Sequence, residues 1–298
     1  MHHYEVFGLQ VSSEIELDEV PIGVGGDVWI RKGEVHRPNQ ATFENDVYAI
    51  EEQLFYLHIP EVGRFQVENG QTITVDPYPD ATTEQLKLYL LGSCLGCLLH
   101  QRQVVPLHGS VLDIEGHGLL ITGQSGAGKS TIANAMIDRG YPFVTDDVAA
   151  IAFKEDVPYV HLAYPSQKLW EDVVTRWEIE TTRGVTRQVE GRTKFSVVRQ
   201  QAFAKEMVPL QFIFEVSPVQ DLTDVQMCHV TGIEKIKTLL THTYRNKLLV
   251  HLRPHESYLQ QIMRIASHIH VFRIERPIGI PLEQQICDMM LEQLHVKV

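Results

Sequence analysis

GHGLLITGQSGAGKSTIANAMIDRGYPFVTDD, residues 116–147, decides the fold. An apolar run, Leu119-Leu120-Ile121, leads into the glycine-rich loop GQSGAGKS, and a helical stretch follows with Ile132, Ala133, Met136 and Ile137 on one side before Gly140 stops it. Strand, loop and helix in that order make a phosphate-binding loop. Gly123, Gly126 and Gly128 let the backbone approach an anion, and Gln124, Ser125 and Ala127 add further amides to the cradle. The helix N-terminus, running through Ser130 and Thr131, adds positive potential. Lys129 is spaced to reach the terminal phosphates of ATP and Ser130 to ligate Mg²⁺. The alternative, a glycine-rich turn with a surface lysine, does not account for the flanking strand and helix.

A second apolar run, Tyr141 to Val144, ends in Thr145-Asp146-Asp147. The pattern predicts a strand neighbouring the loop strand, with two carboxylates at the C-terminal edge where parallel sheets bind ligands. One carboxylate can hold Mg²⁺, directly or through its water, and the other can take a proton from an attacking hydroxyl. Taken alone, paired aspartates after a strand suit a solvated turn or a helix cap; behind a phosphate loop the functional reading is the stronger. Upstream, His108 stands just before SVLDI, and a turn at Glu115-Gly116 would pair that strand with GLLI. Such a hairpin carries the imidazole toward the loop, although a lone histidine is more commonly structural.

Outward from this segment the pattern changes. YEVFGLQV, DVWIRKG, QLFYLHI, GRFQV and TITVD alternate apolar with polar residues and read as short antiparallel strands, the last two joined by a tight turn at Asn69-Gly70. A helix over 83–102 follows VDPYPD. The expected organisation is a β-rich N-terminal domain over 1–82, a connecting helix over 83–104 and a phosphate-loop domain over 105–298, an α/β fold with a P-loop core and an N-terminal antiparallel β-rich domain. In the last of these PLQFIFEV and HVFRIE read as core strands. EKIKTLLTHTYRNKLL and PLEQQICDMMLEQL read as amphipathic helices that cover the sheet and carry no chemistry. Arg192 and Lys194, in VEGRTKFSV, are placed to approach the phosphates from a loop, or to form a polar hairpin.

With 298 residues, 44% hydrophobic and 21% charged, the chain has ordinary globular composition. Its net charge of −12, with no basic run longer than Arg31-Lys32, disfavours nucleic acid as a partner. The N-terminus lacks a basic leader with an apolar core, and no stretch approaches the length of a membrane span, so a cytoplasmic location is expected. Four cysteines are too few and too scattered for a disulfide framework. Two form CLGC, three residues before His100, but they sit within an apolar helical run where cysteine is a small filler.

LHGSVLDIEGHGLLITGQSGAGKSTIANAMIDRGYPFVTDD resembles the catalytic core of the HPr kinase/phosphorylase family in its His-Gly before a strand, phosphate loop, helix ending in Arg-Gly, and Asp-Asp pair. YPSQKLWEDVV and LLGSCLGCLLHQRQVVPLHGS resemble a shorter branch of HPr-kinase-like proteins found with peptide-modification systems, including those making lasso peptides. The resemblance implies that Lys129 and the loop amides bind the β- and γ-phosphates, Ser130 and Asp146 serve Mg²⁺, Asp147 deprotonates a substrate serine, and His108 lies beside it. Two departures stand out: HPr kinases carry an α/β N-terminal domain where this chain reads as β, and the glycine-rich segment used in phosphorolysis has no counterpart here.

The expected activity is an ATP-dependent serine kinase acting on a peptide, with a lasso precursor phosphorylated near its C-terminus as the leading acceptor. HPr and free serine are the alternatives, and homo-oligomerisation stays open. A nucleotide-driven switch or transport motor is disfavoured, because neither LSGGQ nor NKxD occurs in the sequence.

Overall fold

Alternation of apolar and polar residues over the first 77 positions produces one eight-stranded sheet, in a computed structural model that describes residues 1–177, 179, 185–189, 192–252 and 255–297. In strand order the sheet runs His2–Val6, Leu9–Ser13, Val28–Lys32, Thr72–Pro77, Gly63–Glu68, Leu54–Ile59, Tyr48–Glu51, Phe43–Glu44. The Gly63–Glu68 strand shows why it forms: Phe65 and Val67 are fully buried while Arg64 and Gln66 are only partly covered. Its turn to the next strand has Asn69 at φ 53° and Gly70 at φ 63°, the paired left-handed geometry of a tight hairpin.

The sheet departs from the sequence reading in two ways. It is mixed, not antiparallel, because Val28–Lys32 pairs in parallel with both Leu9–Ser13 and Thr72–Pro77 through long connections. YEVFGLQV is also not one strand: it folds back at Phe7 and Gly8, with φ 56° and 74°, into a hairpin. Phe7 is 2% exposed, so burial of its ring offsets the cost of its left-handed backbone, and that is invisible in an apolar run.

The helix after VDPYPD starts at a capping box, with Thr82 accepting from the Gln85 amide and the Gln85 side chain accepting from Thr82. It runs through Thr83–Tyr89, a π-helical stretch Leu90–Cys94, and Leu95–Gln101. One face joins Phe55, Phe65 and Ile73 of the sheet, and the same cluster takes in Val148, Tyr164, Tyr244 and Leu252 from the second half. Cys94 and Cys97 are buried free thiols, and burial pushes Cys97 up to about 12. His100 Nε2 donates to the Tyr244 carbonyl at 2.9 Å. CLGC is therefore core, and among the described residues no group of three His, Cys, Asp or Glu side chains could hold a metal.

The second half is built on a nine-stranded sheet. Its centre is parallel: the loop strand His117–Thr122 lies beside Val208–Val219, which lies beside His270–Pro277. Alternate residues face opposite clusters. Leu119, Ile121 and Phe214 meet the helices Lys129–Asp138 and Glu283–Lys297, while Leu120, Ile213 and Val271 meet Gly232–Thr241 and His255–His268. The aspartate strand, Phe143–Thr145, is not the neighbour of the loop strand: Ser110–Ile114 lies between them, antiparallel to both. The aspartate and loop strands consequently still run the same way, so their C-terminal ends share one edge. EKIKTLLTHTYRNKLL is also not one helix, since Gly232–Thr241 ends before Asn246–Leu252 begins, with Arg245 between them at φ 55°. Among the described residues no helix is long and apolar enough to cross a membrane.

Candidate active site

The glycine-rich loop GQSGAGKS is fixed by close backbone approach. A Cβ on Gly123 (φ 146°) would lie 2.3 Å from the Val216 carbonyl oxygen, so no other residue fits without moving the neighbouring strand. Gly128, at φ 101°, turns the chain into the helix Lys129–Asp138. Lys129 Nζ curls back over the loop and donates to the carbonyls of Gly123 (2.8 Å) and Gln124 (3.0 Å). Ala127 is buried, and its carbonyl accepts from Arg276 Nε at 2.8 Å. Arg276 stands at the end of the third parallel strand, where burial pushes its guanidinium down from the ordinary value.

The two aspartates are held differently. Asp146 is 8% exposed and accepts from Ser110 Oγ (2.5 Å) and from the Lys168 amide (2.8 Å). Asp147 adopts φ 80°, a left-handed conformation costing on the order of 1 kcal/mol for a residue with a side chain. Its carbonyl accepts from His108 Nδ1 at 3.0 Å and from the Gly109 amide at 3.3 Å, which together fix the turn. Thr145 Oγ1 closes the same turn by donating to the Val148 carbonyl at 2.5 Å. On the carboxylate itself, Lys168 Nζ lies 2.7 Å from Oδ2 and His108 Nδ1 3.5 Å from Oδ1.

Lys168 thus straps both aspartates from one residue of the strand Ser166–Trp170, by its amide and by its ammonium. Burial would lower the Lys168 ammonium, but the adjacent Asp147 carboxylate, with Tyr164 and Tyr244, outweighs it and holds the group above its ordinary value. His108 ends the strand Val105–His108, which pairs with Val148–Lys154 so that His108 lies opposite Val148; its amide donates to the His242 carbonyl at 2.7 Å.

A cleft of about 190 Å³ gathers most of the residues expected from the sequence: His108, Ser125, Gly126, Gly128, Lys129, Ser130, Thr131, Asp146 and Asp147. Gly123 and Gln124 line an adjoining pocket instead, and Ala127 faces the core. The side chains of Arg192 and Lys194 lie outside the described residues. Sequence reasoning missed Ser110, Lys168, Arg276 and Trp170, which also belong to the site. Lys168 sits inside the quoted YPSQKLWEDVV, but nothing local to that stretch indicates that its strand crosses over the aspartates.

Comparison with known proteins finds similarity over a limited span. Residues 100–166 match the family model of the HPr Serine kinase C-terminal domain. An HPr kinase/phosphorylase of Azoarcus sp. (strain BH72) is 40% identical over 85 residues, which are 28% of this chain and 24% of that protein. One of Chlorobium limicola is 50% identical over 97 residues, 32% of this chain and 27% of the relative. The chain thus spans about a quarter of the length of these relatives. Among solved structures, the Hpr(Ser) kinase/phosphatase from Coxiella burnetii aligns with a TM-score of 0.35 at 18% identity, covering 64% of this chain and 92% of that one.

Proposed function

We propose that this protein transfers the γ-phosphoryl group of ATP to a serine hydroxyl of a peptide, and that the acceptor is a ribosomal precursor of the lasso-peptide kind, modified near its C-terminus. The observation that carries the reading is the position of Asp147. Its carboxylate, oriented by Lys168 at 2.7 Å and flanked by His108, lines the same cleft as Lys129, Ser130 and Thr131.

The loop amides and Lys129 bind the β- and γ-phosphates, with Lys129 exchanging its two backbone carbonyls for phosphate oxygens. Ser130 and Asp146 would hold Mg²⁺, which offsets phosphate charge when bound. The donor set fits: each Asp146 oxygen accepts one hydrogen bond from the protein and keeps a lone pair. A site with so few protein ligands suits a metal that arrives with its nucleotide and keeps several waters. Asp147 takes the proton of the serine hydroxyl as the serine oxygen bonds to phosphorus and the bond to the bridging oxygen of ADP breaks. Lys168 keeps the carboxylate aimed, and Arg276 braces the loop at Ala127.

The names of the relatives also fit a second reading, an HPr(Ser) kinase/phosphorylase. A free-serine kinase shares the chemistry and differs in its pocket. Incubating the protein with ATP and Mg²⁺ against a Ser-ended precursor peptide, folded HPr and free serine, with phosphate gain read by mass spectrometry, separates the three. The peptide alone should gain phosphate; modification of HPr or free serine without the peptide rejects the acceptor proposed here.

A further inference from the structure

A pocket of about 540 Å³ opens from the nucleotide cleft and shares His108, Ser125 and Asp147 with it. Part of its wall comes from two irregular segments, the π-helical Leu90–Cys94 and the break between Gly232–Thr241 and Asn246–Leu252. Each irregularity has a consequence for the pocket. A Cβ on Gly92 would stand 3.4 Å from the Tyr244 hydroxyl and 3.9 Å from Lys168 Nζ, so the bare glycine keeps this space open. The left-handed turn at Arg245 sends its guanidinium back to the same wall.

Three cationic or potentially cationic side chains in this pocket have carboxylates beside them: Lys168 and His108 have Asp147, and His242 Nε2 lies 2.8 Å from Glu215 Oε1. Arg245 differs. Its Nη1 donates to the Tyr48 hydroxyl (2.8 Å) and its Nη2 to Ser93 Oγ (2.5 Å), and its Cζ lies 5.7 Å from the rings of both Tyr48 and Tyr244. These partners are neutral, and among the described residues no carboxylate forms an ion pair with it. A partly buried guanidinium held by neutral groups retains charge that an anion from outside can satisfy, and the planar fork suits a carboxylate. The same pocket therefore carries the carboxylate at which an acceptor hydroxyl would react and a cation that has no anionic partner among the described residues.

We propose that Arg245 anchors a carboxylate of the acceptor, so that the pocket selects a hydroxyl whose own or neighbouring carboxylate enters with it. This rests on the phosphoryl-transfer reading and adds the recognition element for its acceptor. The carboxylate can be the C-terminus of a peptide, an acidic side chain next to the serine, or that of a free amino acid.

Four probes distinguish these sources: a random-context hexapeptide library ending in serine as the free acid, the same library as the amide, an amide library with Asp or Glu beside the serine, and free L-serine. Each is incubated with γ-labelled ATP and Mg²⁺, and the label on the probe and in inorganic phosphate is counted. At least one carboxylate-bearing probe should take up about tenfold more label than the plain amide library. Arg245→Gln should bring that ratio to about one and Arg245→Lys should restore part of it, a pattern that a purely structural role for Arg245 would not produce. Gly92→Val should lower labelling of every probe by closing the space. Labelling of every carboxylate-bearing probe no greater than that of the plain amide library by the wild type, or an undiminished ratio in Arg245→Gln, overturns the proposal. ATP turnover with no probe labelled also overturns it while leaving the nucleotide site intact. No ATP turnover at all rejects the phosphoryl-transfer reading beneath it.

Discussion

The cleft at the glycine-rich loop and the pocket beside it share Asp147 but are built in opposite ways. The cleft comes mainly from one continuous stretch, from His108 to Asp147, in which strand, turn, loop and helix follow in order. The pocket is assembled from pieces far apart in the chain: the π-helical Leu90–Cys94, Lys168, and the helix break containing Tyr244 and Arg245. Phosphate binding relies on backbone amides at fixed spacing, so it can be compact in sequence. Choice of acceptor relies on side chains converging from separate elements, so it is free to differ between proteins sharing the same loop.

The largest expected effect falls where the two regions meet. Asp147→Asn should lower transfer to an acceptor by about 10³-fold or more, because an amide cannot accept the hydroxyl proton, while nucleotide binding with Mg²⁺ is kept. Asp146→Asn should in addition raise the Mg²⁺ concentration needed for half-maximal rate. Titrating both variants with Mg²⁺ at saturating ATP checks the division of roles, and coincident curves would remove it.

Next in size is a change confined to the cleft. Lys129→Ala should cost about 10²- to 10³-fold in ATP turnover through lost stabilisation of the transferring phosphate. Its melting temperature should stay within a few degrees of wild type, because Lys129 bonds to two loop carbonyls and fills no core space. Turnover within tenfold of wild type would break the phosphate-loop assignment.

A third change should weaken the pocket side more than the cleft. Hydrogen bonding from His242, reinforced by Arg273, holds the Glu215 carboxyl at about 2, down from 4.5, with burial opposing the shift. Its ionised form therefore contributes stability that is complete above about pH 4.5 and lost as pH falls through about 2, worth on the order of 3 kcal/mol. Glu215→Gln should show that deficit in urea unfolding at pH 7 and a smaller one at pH 3. The His242 carbonyl also holds the His108 amide, so acceptor labelling should fall more than ATP hydrolysis in this variant. The smallest effect is at the far end of the pocket's helix, where Thr82→Ala removes the capping box for about 1 kcal/mol without changing the Mg²⁺ titration.

The same contrast explains what could be read from the sequence. The loop, its helix and the two aspartates were legible because glycine spacing and apolar runs report local geometry, and Glu115-Gly116 correctly marked the hairpin between Ser110–Ile114 and His117–Thr122. Strand adjacency was not, since the chain inserts Ser110–Ile114 between the loop and aspartate strands, a choice made by long-range pairing. The break at Arg245 was hidden by helical periodicity on both sides, and it brings Tyr244 and Arg245 to a site from a stretch that reads as plain scaffold. Lys168 was hidden likewise: its role depends on a crossing between Ser166–Trp170 and the aspartate turn, and a lysine in a mixed strand carries no local sign of that.

The central claim is that the phosphoryl group passes to an acceptor hydroxyl whose proton goes to Asp147. The most direct test is the fate of the label from γ-labelled ATP in single turnovers, with wild type and Asp147→Asn compared in the presence of the Ser-ended peptide, HPr and free serine. The account predicts label on the peptide serine with wild type and its loss with Asp147→Asn while ATP stays bound. Label released entirely as inorganic phosphate with every acceptor, or transfer by Asp147→Asn at the wild-type rate, would contradict it.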